Sequence, residues 1–180
     1  MKFFKYVLLA STLIFASCSE DDNNPEPVNE EEVLTTLTVT FESGFDTVVM
    51  QFQDLDGDGP DAATVSVSGP LSANTSYDAA IVLLNETEDP AENINEEIEE
   101  EDLDHQFFYT VGSGLDANTS YVDLDSEGNP LGLNFVLNTG GASSGGLTIT
   151  LRHEPNKPNT GLENAAGETD IEVTFDVTIE

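Results

Sequence analysis

Apolar and polar residues alternate along most of the chain after residue 33. In the final segment, DIEVTFDVTIE (170–180), the apolar side chains all fall on one face of an extended chain. The same two-residue period predicts strands at Leu37 to Phe41, Val48 to Phe52, Val65 to Val67, Ala79 to Leu84, Phe107 to Val111, Leu133 to Leu137, Leu147 to Leu151 and Ile171 to Ile179. Clusters of Gly, Asn, Asp and Pro separate these strands. Eight short strands predict an all-β, antiparallel sandwich or barrel, of which we expect the sandwich, and the last strand has one core face and one wet face.

One segment breaks this pattern. Residues 90–104, PAENINEEIEEEDLD, place Ile94 and Ile98 four residues apart, with Pro90 at a plausible first helical position. The segment therefore predicts one short acidic helix inserted between strands, with a narrow apolar stripe.

The stretch GPLSANTSYDAAIVLL (69–84) resembles the corner between strands E and F of fibronectin type III and related immunoglobulin-like domains. Leu71, Thr75 and Tyr77 match the Leu, Thr and Tyr of that corner. The resemblance implies an immunoglobulin-like sandwich in which the Tyr77 hydroxyl bonds to nearby backbone. LDANTSY (115–121) repeats LSANTSY (71–77), which indicates either a duplicated half or convergent turn chemistry.

The N-terminus has the layout of a secretory signal peptide over residues 1–17. Lys2 and Lys5 precede an apolar run too short to span a membrane, and Ala16-Ser17 then precede the only cysteine. A small-residue site ending at a lone Cys resembles the lipobox of bacterial lipoproteins, which implies lipidation at Cys18. The alternative is an ordinary cysteine within an uncleaved or differently cleaved leader.

Residues 18–32 are polar and acidic, and Pro25 and Pro27 interrupt them, so we expect a flexible tether. Ser19-Glu20-Asp21-Asp22 resembles the export signal of Bacteroidetes lipoproteins, which implies the cell-surface side of the outer membrane. The sequence thus predicts a signal peptide (1–17), a lipidated tether (18–32) and a β-sandwich domain (33–180), attached to the membrane through the lipid anchor.

The charge balance narrows the classes of partner. The chain has 36 acidic residues against four basic ones, a formal charge of −32, and Lys2 and Lys5 belong to the predicted leader. Such a surface repels phosphate backbones, so we expect no nucleic-acid partner. It attracts cations, although a solvated acidic coat without a specific partner explains most of these charges.

The segment DLDGDGPD (54–61) is the sharpest motif. Asp54, Asp56 and Asp58 occupy positions 1, 3 and 5 of an EF-hand-like loop, and calcium needs several such hard oxygens. Position 12 is Val65 rather than Glu and the flanks are strands, so this is not an EF-hand and Asp61 or a distant acid would complete the shell. The alternative is a hairpin turn rich in Asp and Gly.

A second constellation joins the acidic helix to the two histidines. Asp104 and His105 open one predicted strand, and His153 and Glu154 close another. If those strand ends lie together, these four side chains suit zinc or another divalent transition metal. The alternative is two surface histidines that act separately.

The loop 153–170 follows Arg152 and contains Lys157, the two basic residues outside the leader. They predict either a contact with a ligand or salt bridges to the acidic helix.

The stretches HQFFY, LTITLRHEPNK and GETDIEVTF are similar to a group of small Bacteroidetes lipoproteins often labelled type 1 periplasmic-binding fold proteins. Members of that group are associated with TonB-dependent outer-membrane receptors, which implies such a receptor as a partner. That fold alternates strands and helices over two lobes, whereas this chain reads as strands with one helix.

Together these features predict a non-catalytic, surface-exposed binding module that assists outer-membrane uptake of a divalent metal. The chain has no serine-histidine-acid motif, P-loop or glycine-rich dinucleotide turn, so we do not expect an enzyme. Two alternatives stay open: a structural or adhesive surface protein stiffened by calcium, and a hydrolase that uses a pair of its many carboxylates.

Overall fold

A computed structural model of the protein describes residues 33–44, 46–57 and 59–180. This part of the chain forms ten strands and two short helices. In chain order they are β1 (Thr36–Ser43), β2 (Asp46–Gln53), β3 (Thr64–Val67), β4 (Ser76–Asn85), β5 (Glu92–Asn93), α1 (Asn95–Glu100), β6 (His105–Val111), β7 (Ala117–Tyr121), β8 (Asn134–Thr139), β9 (Ser143–His153), α2 (Leu162–Ala165) and β10 (Glu168–Ile179).

The strands form two antiparallel sheets. The larger sheet has the order β3-β2-β1-β4-β8-β7, and β5 adds a short pairing to β4. The smaller sheet has the order β10-β9-β6. This architecture confirms the predicted all-β antiparallel sandwich, while the immunoglobulin-like assignment stays a prediction.

The core lies between the two sheets, where the alternating apolar residues meet. In β10 the residues from Ile171 to Ile179 alternate strictly between buried and exposed. Phe41 of β1 packs edge-on against Phe135 of β8, with ring centroids 5.8 Å apart. The period of two thus sorts each strand into a core face and an outer face, as the sequence predicts.

Part of the outer face of the smaller sheet, around β6, is also covered. Gln106 and Phe108 alternate with the core residues of β6, yet they are only 2% and 3% exposed. The long loop between β9 and β10 covers this face, since Asn159 donates a 2.7 Å hydrogen bond to Gln106. The loop carries α2, whose Ala165 is buried. The segment after His153 is therefore packed onto the sheet.

The acidic helix is shorter than the sequence predicts and begins at Asn95 rather than Pro90. Residues 92–93 pair with the end of β4 instead. The Asn95 side chain then donates to the Ile81 carbonyl (2.7 Å) and accepts from the Leu83 amide (2.8 Å). These bonds satisfy β4 backbone groups that no strand reaches, which is why the helix starts late.

The apolar stripe of this helical segment is buried as predicted. Ile98 is fully buried, and Ile94, which precedes the helix, is 3% exposed. Both side chains belong to the main core, so the segment closes one end of the sandwich and leads directly into β6.

The two ANTSY copies fold differently. In the first copy Asn74 has a positive φ of 53° within a turn, and β4 starts only at Ser76. In the second copy all five residues form β7, which pairs with β8. The copies are therefore not equivalent parts of a duplicated half.

Tyr77 makes the backbone contact that the corner resemblance implies. Its buried hydroxyl accepts a 2.8 Å hydrogen bond from the Ser72 amide and donates to the carboxylate of Asp46. The ring packs edge-on near Phe41. Tyr77 thus ties the turn before β4 to the start of β2.

We expect Tyr77→Phe to lower the free energy of unfolding by about 1–3 kcal/mol, because it leaves the Ser72 amide and the Asp46 carboxylate without this partner. Urea denaturation would measure the loss. Ser72→Ala is the matched control, since it removes only the 3.1 Å bond from the Ser72 hydroxyl to Asp46. Equal stability of Tyr77→Phe and the wild type would contradict the structural role of this hydroxyl.

Candidate metal centre

The register between β6 and β9 places the two histidines opposite each other. His105 is the Cα partner of His153, at the start of one strand and the end of the other. Their rings stack with centroids 4.8 Å apart and an angle of 17° between the planes. The structure thus brings together the two strand ends whose proximity the metal hypothesis required.

A third side chain reaches the pair from β10. The pairing of β10 with β9 shifts between Thr169 and Ile171, which leaves Asp170 as an extra residue in the strand. Such a β-bulge redirects the side chain of the extra residue. Here it brings the Asp170 carboxylate to the histidines.

One ligand atom from each of His105, His153 and Asp170 lies within 4.8 Å of the other two. A tetrahedral ion with bonds of about 2.1 Å holds its ligand atoms about 3.4 Å apart. Small rotations of the side chains would therefore bring the three atoms onto one ion. Within residues 33–44, 46–57 and 59–180, this is the group of His, Asp and Glu side chains that fits a metal.

The backbone around His105 orients its ring. His105 is fully buried, and its Nδ1 lies 3.2 Å from the carbonyl oxygen of Glu101. A carbonyl can only accept, so Nδ1 carries the proton in this contact, and in the neutral ring Nε2 would hold the lone pair that a metal needs. Hydrogen bonds of this kind fix the tautomer of metal-binding histidines.

The site is open on one side. His153 and Asp170 are partly exposed, whereas His105 forms the floor. Upstream of His105, α1 and its flanks present an acidic groove of about 550 Å³ whose charged residues are Glu92, Glu96, Glu97, Glu100 and Glu101. Negative charge of this density raises the local concentration of cations.

The structure does not bring Asp104 and Glu154 into the group. Both are exposed, and it is their backbones that meet, through a 2.6 Å bond from the Glu154 amide to the Asp104 carbonyl. Asp104 lies in the turn before β6, and Glu154 has a positive φ of 50° just after β9. Neither residue therefore continues the extended strand that carries its neighbouring histidine. Asp170 supplies the carboxylate that the sequence hypothesis assigned to these two residues.

The loop proposed for calcium follows β2. Asp56 accepts a 3.1 Å hydrogen bond from the Asp61 amide, and its carboxylate lies over Gly59, where a Cβ would be 2.0 Å from Oδ2. Among the described residues, Asp54, Asp56 and Asp61 form no metal-binding group. Asp58 lies outside the described residues, so the calcium site stays a prediction.

Lys157 does not pair with the acidic helix. Its Nζ donates to the carbonyl oxygens of Asp102 and His105, at 2.6 Å each, and forms an ion pair with Asp125 at 3.1 Å. The side chains of Lys157 and Asp125 are 6% and 0% exposed. Arg152 donates to the Gly167 carbonyl at 3.2 Å. These two basic side chains therefore hold backbone rather than α1.

Asp125 is the anion of this network. Its carboxylate also accepts from the Glu127 and Asn129 amides, at 3.0 and 2.7 Å. Burial acts to raise the pKa of Asp125, but hydrogen bonds from Asn129 and Lys157 outweigh it and lower the pKa below its usual value. Asp125 is consequently ionised at neutral pH and balances the charge of Lys157.

The lowered pKa of Asp125 predicts a pH dependence of stability. As the pH falls from the usual Asp range toward the lower value in the fold, the unfolded state takes up the proton first, so folding weakens. We expect Asp125→Asn to flatten the decline of the unfolding free energy below about pH 4. Urea denaturation between pH 2 and 6 would measure it.

Asp176→Asn, which removes one exposed carboxylate from β10, is the control for the change in net charge. If Asp125→Asn and the wild type decline with the same slope, Asp125 is not a source of the acid sensitivity.

No family model, no curated protein and no solved structure matches this chain. Within the described residues, the helices are all too short or too polar to cross a membrane.

Proposed function

We propose that the protein is a lipid-anchored, non-catalytic surface module that binds a divalent transition metal through His105, His153 and Asp170 and assists its uptake across the outer membrane. The observation that carries the proposal is the convergence of these three side chains, from three different strands, within 4.8 Å.

The chemistry of the ligands favours a transition metal over calcium at this site. Two imidazole nitrogens and one carboxylate oxygen suit zinc, copper or nickel, whereas calcium takes about six to eight oxygen ligands. Three protein ligands also leave a coordination position for water or for an outside ligand. A site of this kind can release its ion to a partner, as an uptake accessory requires.

The location rests on the first 32 residues, which lie outside the described part of the structure. Cys18 would carry the acyl chains and residues 19–32 would hold the domain at the outer surface of the outer membrane. The resemblance to lipoproteins associated with TonB-dependent receptors supports such a receptor as the partner.

We expect the purified domain to bind one equivalent of zinc or cobalt, and the double variant His105→Ala, His153→Ala to lose this binding. Asp170→Ala should weaken the affinity at least tenfold, because it removes one of three ligands. Asp104→Ala and Glu154→Ala are matched controls that each remove an exposed carboxylate beside a histidine. Competition with a chromogenic chelator would measure all the affinities.

A wild type that binds no zinc would contradict the proposed site. Loss of zinc affinity in Asp104→Ala and Glu154→Ala, with the affinity retained in Asp170→Ala, would contradict it as well. Circular dichroism of each variant would show that the fold is kept.

We expect the full chain to incorporate a radiolabelled fatty acid in its bacterial host and to be degraded by protease added to intact cells. Cys18→Ala should abolish the label, because the thioether to the lipid needs the thiol. A labelled Cys18→Ala variant, or a wild-type chain that protease spares in intact cells but digests in lysates, would contradict the surface anchor.

A structural surface protein stiffened by calcium is the second candidate. It is favoured by Asp54, whose Oδ1 is buried without a hydrogen-bond partner at the start of the predicted calcium loop. Calcium that raises the melting temperature of the double-histidine variant as much as that of the wild type would support this role. Such a result alone would leave the histidine site untouched.

A further inference from the structure

We propose that Lys157 is a positioning residue of the metal site, which sets the place of His105 through the backbone. This inference rests on the proposed function. The buried ammonium group of Lys157 donates to three described acceptors. Two of them are backbone carbonyl oxygens of the segment that ends at His105.

The segment 102–105 has no regular partner strand over most of its length, so other groups must fix it. Lys157 binds the carbonyls of Asp102 and His105. The Glu154 amide binds the Asp104 carbonyl. The Asp102 carboxylate in turn accepts from the amide and hydroxyl of Ser126, at 2.7 and 2.9 Å. The segment is thus held from two sides at the residues just before the buried ligand.

Lys157 also joins the two histidine-bearing strand ends. It lies four residues after His153, in the loop that leaves β9. Its ammonium group donates a hydrogen bond to the carbonyl oxygen of His105 on the neighbouring strand. This bond links the loop after His153 to the backbone of His105, whose imidazole stacks on that of His153.

A cation beside a metal site weakens metal binding unless an anion balances it. Asp125 provides this balance at 3.1 Å, with its own charge kept by the Asn129 hydrogen bonds. Lys157 can therefore hold the His105 backbone while Asp125 offsets the repulsion between its ammonium group and a bound metal ion.

The direction in which Lys157→Met changes the metal affinity separates a positioning role from a purely electrostatic one. Lys157→Met keeps most of the aliphatic stem and removes one positive charge. If Lys157 acted only through its charge, this loss would make the domain more negative and tighten the binding of a cation. If Lys157 positions His105, the affinity falls instead, by about tenfold to a hundredfold, as for other residues that orient metal ligands.

The experiment compares cobalt affinity and the cobalt absorption spectrum in the wild type, Lys157→Met and Arg152→Met. Arg152→Met is the charge-matched control, because it removes the only other basic side chain of the described residues. We expect weaker binding and an altered ligand-field spectrum in Lys157→Met, and unchanged or tighter binding with the wild-type spectrum in Arg152→Met.

A Lys157→Met variant that binds cobalt as tightly as Arg152→Met, with the wild-type spectrum, would overturn the positioning role and leave the proposed function standing. A wild type that binds no cobalt or zinc would overturn both.

If Lys157→Met does not fold, NMR of the wild-type protein tests the positioning role instead. During a zinc titration, the Nζ signal of Lys157 should shift with the same midpoint as the ring nitrogens of His105. A Nζ signal that stays constant while the ring signals move would overturn the inference.

Discussion

The register of β6 against β9 is the constraint on which the site depends. Phe107 faces Leu151 and Tyr109 faces Ile149, so the core residues of both strands meet on one face. A slip of one residue would turn this whole apolar set toward the outside. Because the core fixes the register, it also fixes His105 opposite His153, two positions before Phe107 and two after Leu151. The hydrophobic packing of the core, rather than the contact between the two rings, therefore fixes the pairing of the imidazoles.

The third ligand depends on a departure from regular pairing. The bulge at Asp170 allows β10 to keep Ile171 in the core while it redirects the preceding carboxylate. The loop between β9 and β10 connects the strand of His153 to the strand of Asp170. Its last residue before β10, Gly167, has a φ of 76° and lies so close to the His153 carbonyl that a Cβ would be 2.3 Å from that oxygen. A side chain there would push the loop off the strand that carries His153.

Much of the fold follows from local patterns in the sequence. The eight predicted strands are all present, and the buried Ile94 and Ile98 follow from their spacing. The patterns did not reveal β5, which has two residues, or β7, whose ANTSY sequence resembles a turn that occurs earlier in the chain. Period alone cannot separate these cases, because the deciding factor is a partner strand that is distant in sequence.

The same limit applies to the site. His105 and His153 stand at the ends of two alternating segments, so the sequence could nominate them. Asp170 reads as one more outward acid of β10, and only the bulge changes its direction. Lys157 and Asp125 are 32 residues apart, and nothing in the pattern distinguishes Asp125 among 36 acids. Interactions that depend on tertiary pairing were therefore the ones that sequence reasoning missed.

The metal site can be tested by anomalous diffraction from crystals grown with zinc, recorded on both sides of the zinc absorption edge. We expect a strong peak at about 2.0–2.2 Å from one nitrogen of His105, one nitrogen of His153 and one oxygen of Asp170. Zinc bound only at the loop 54–61 or on the acids around α1, with the two imidazoles uncoordinated, would contradict it.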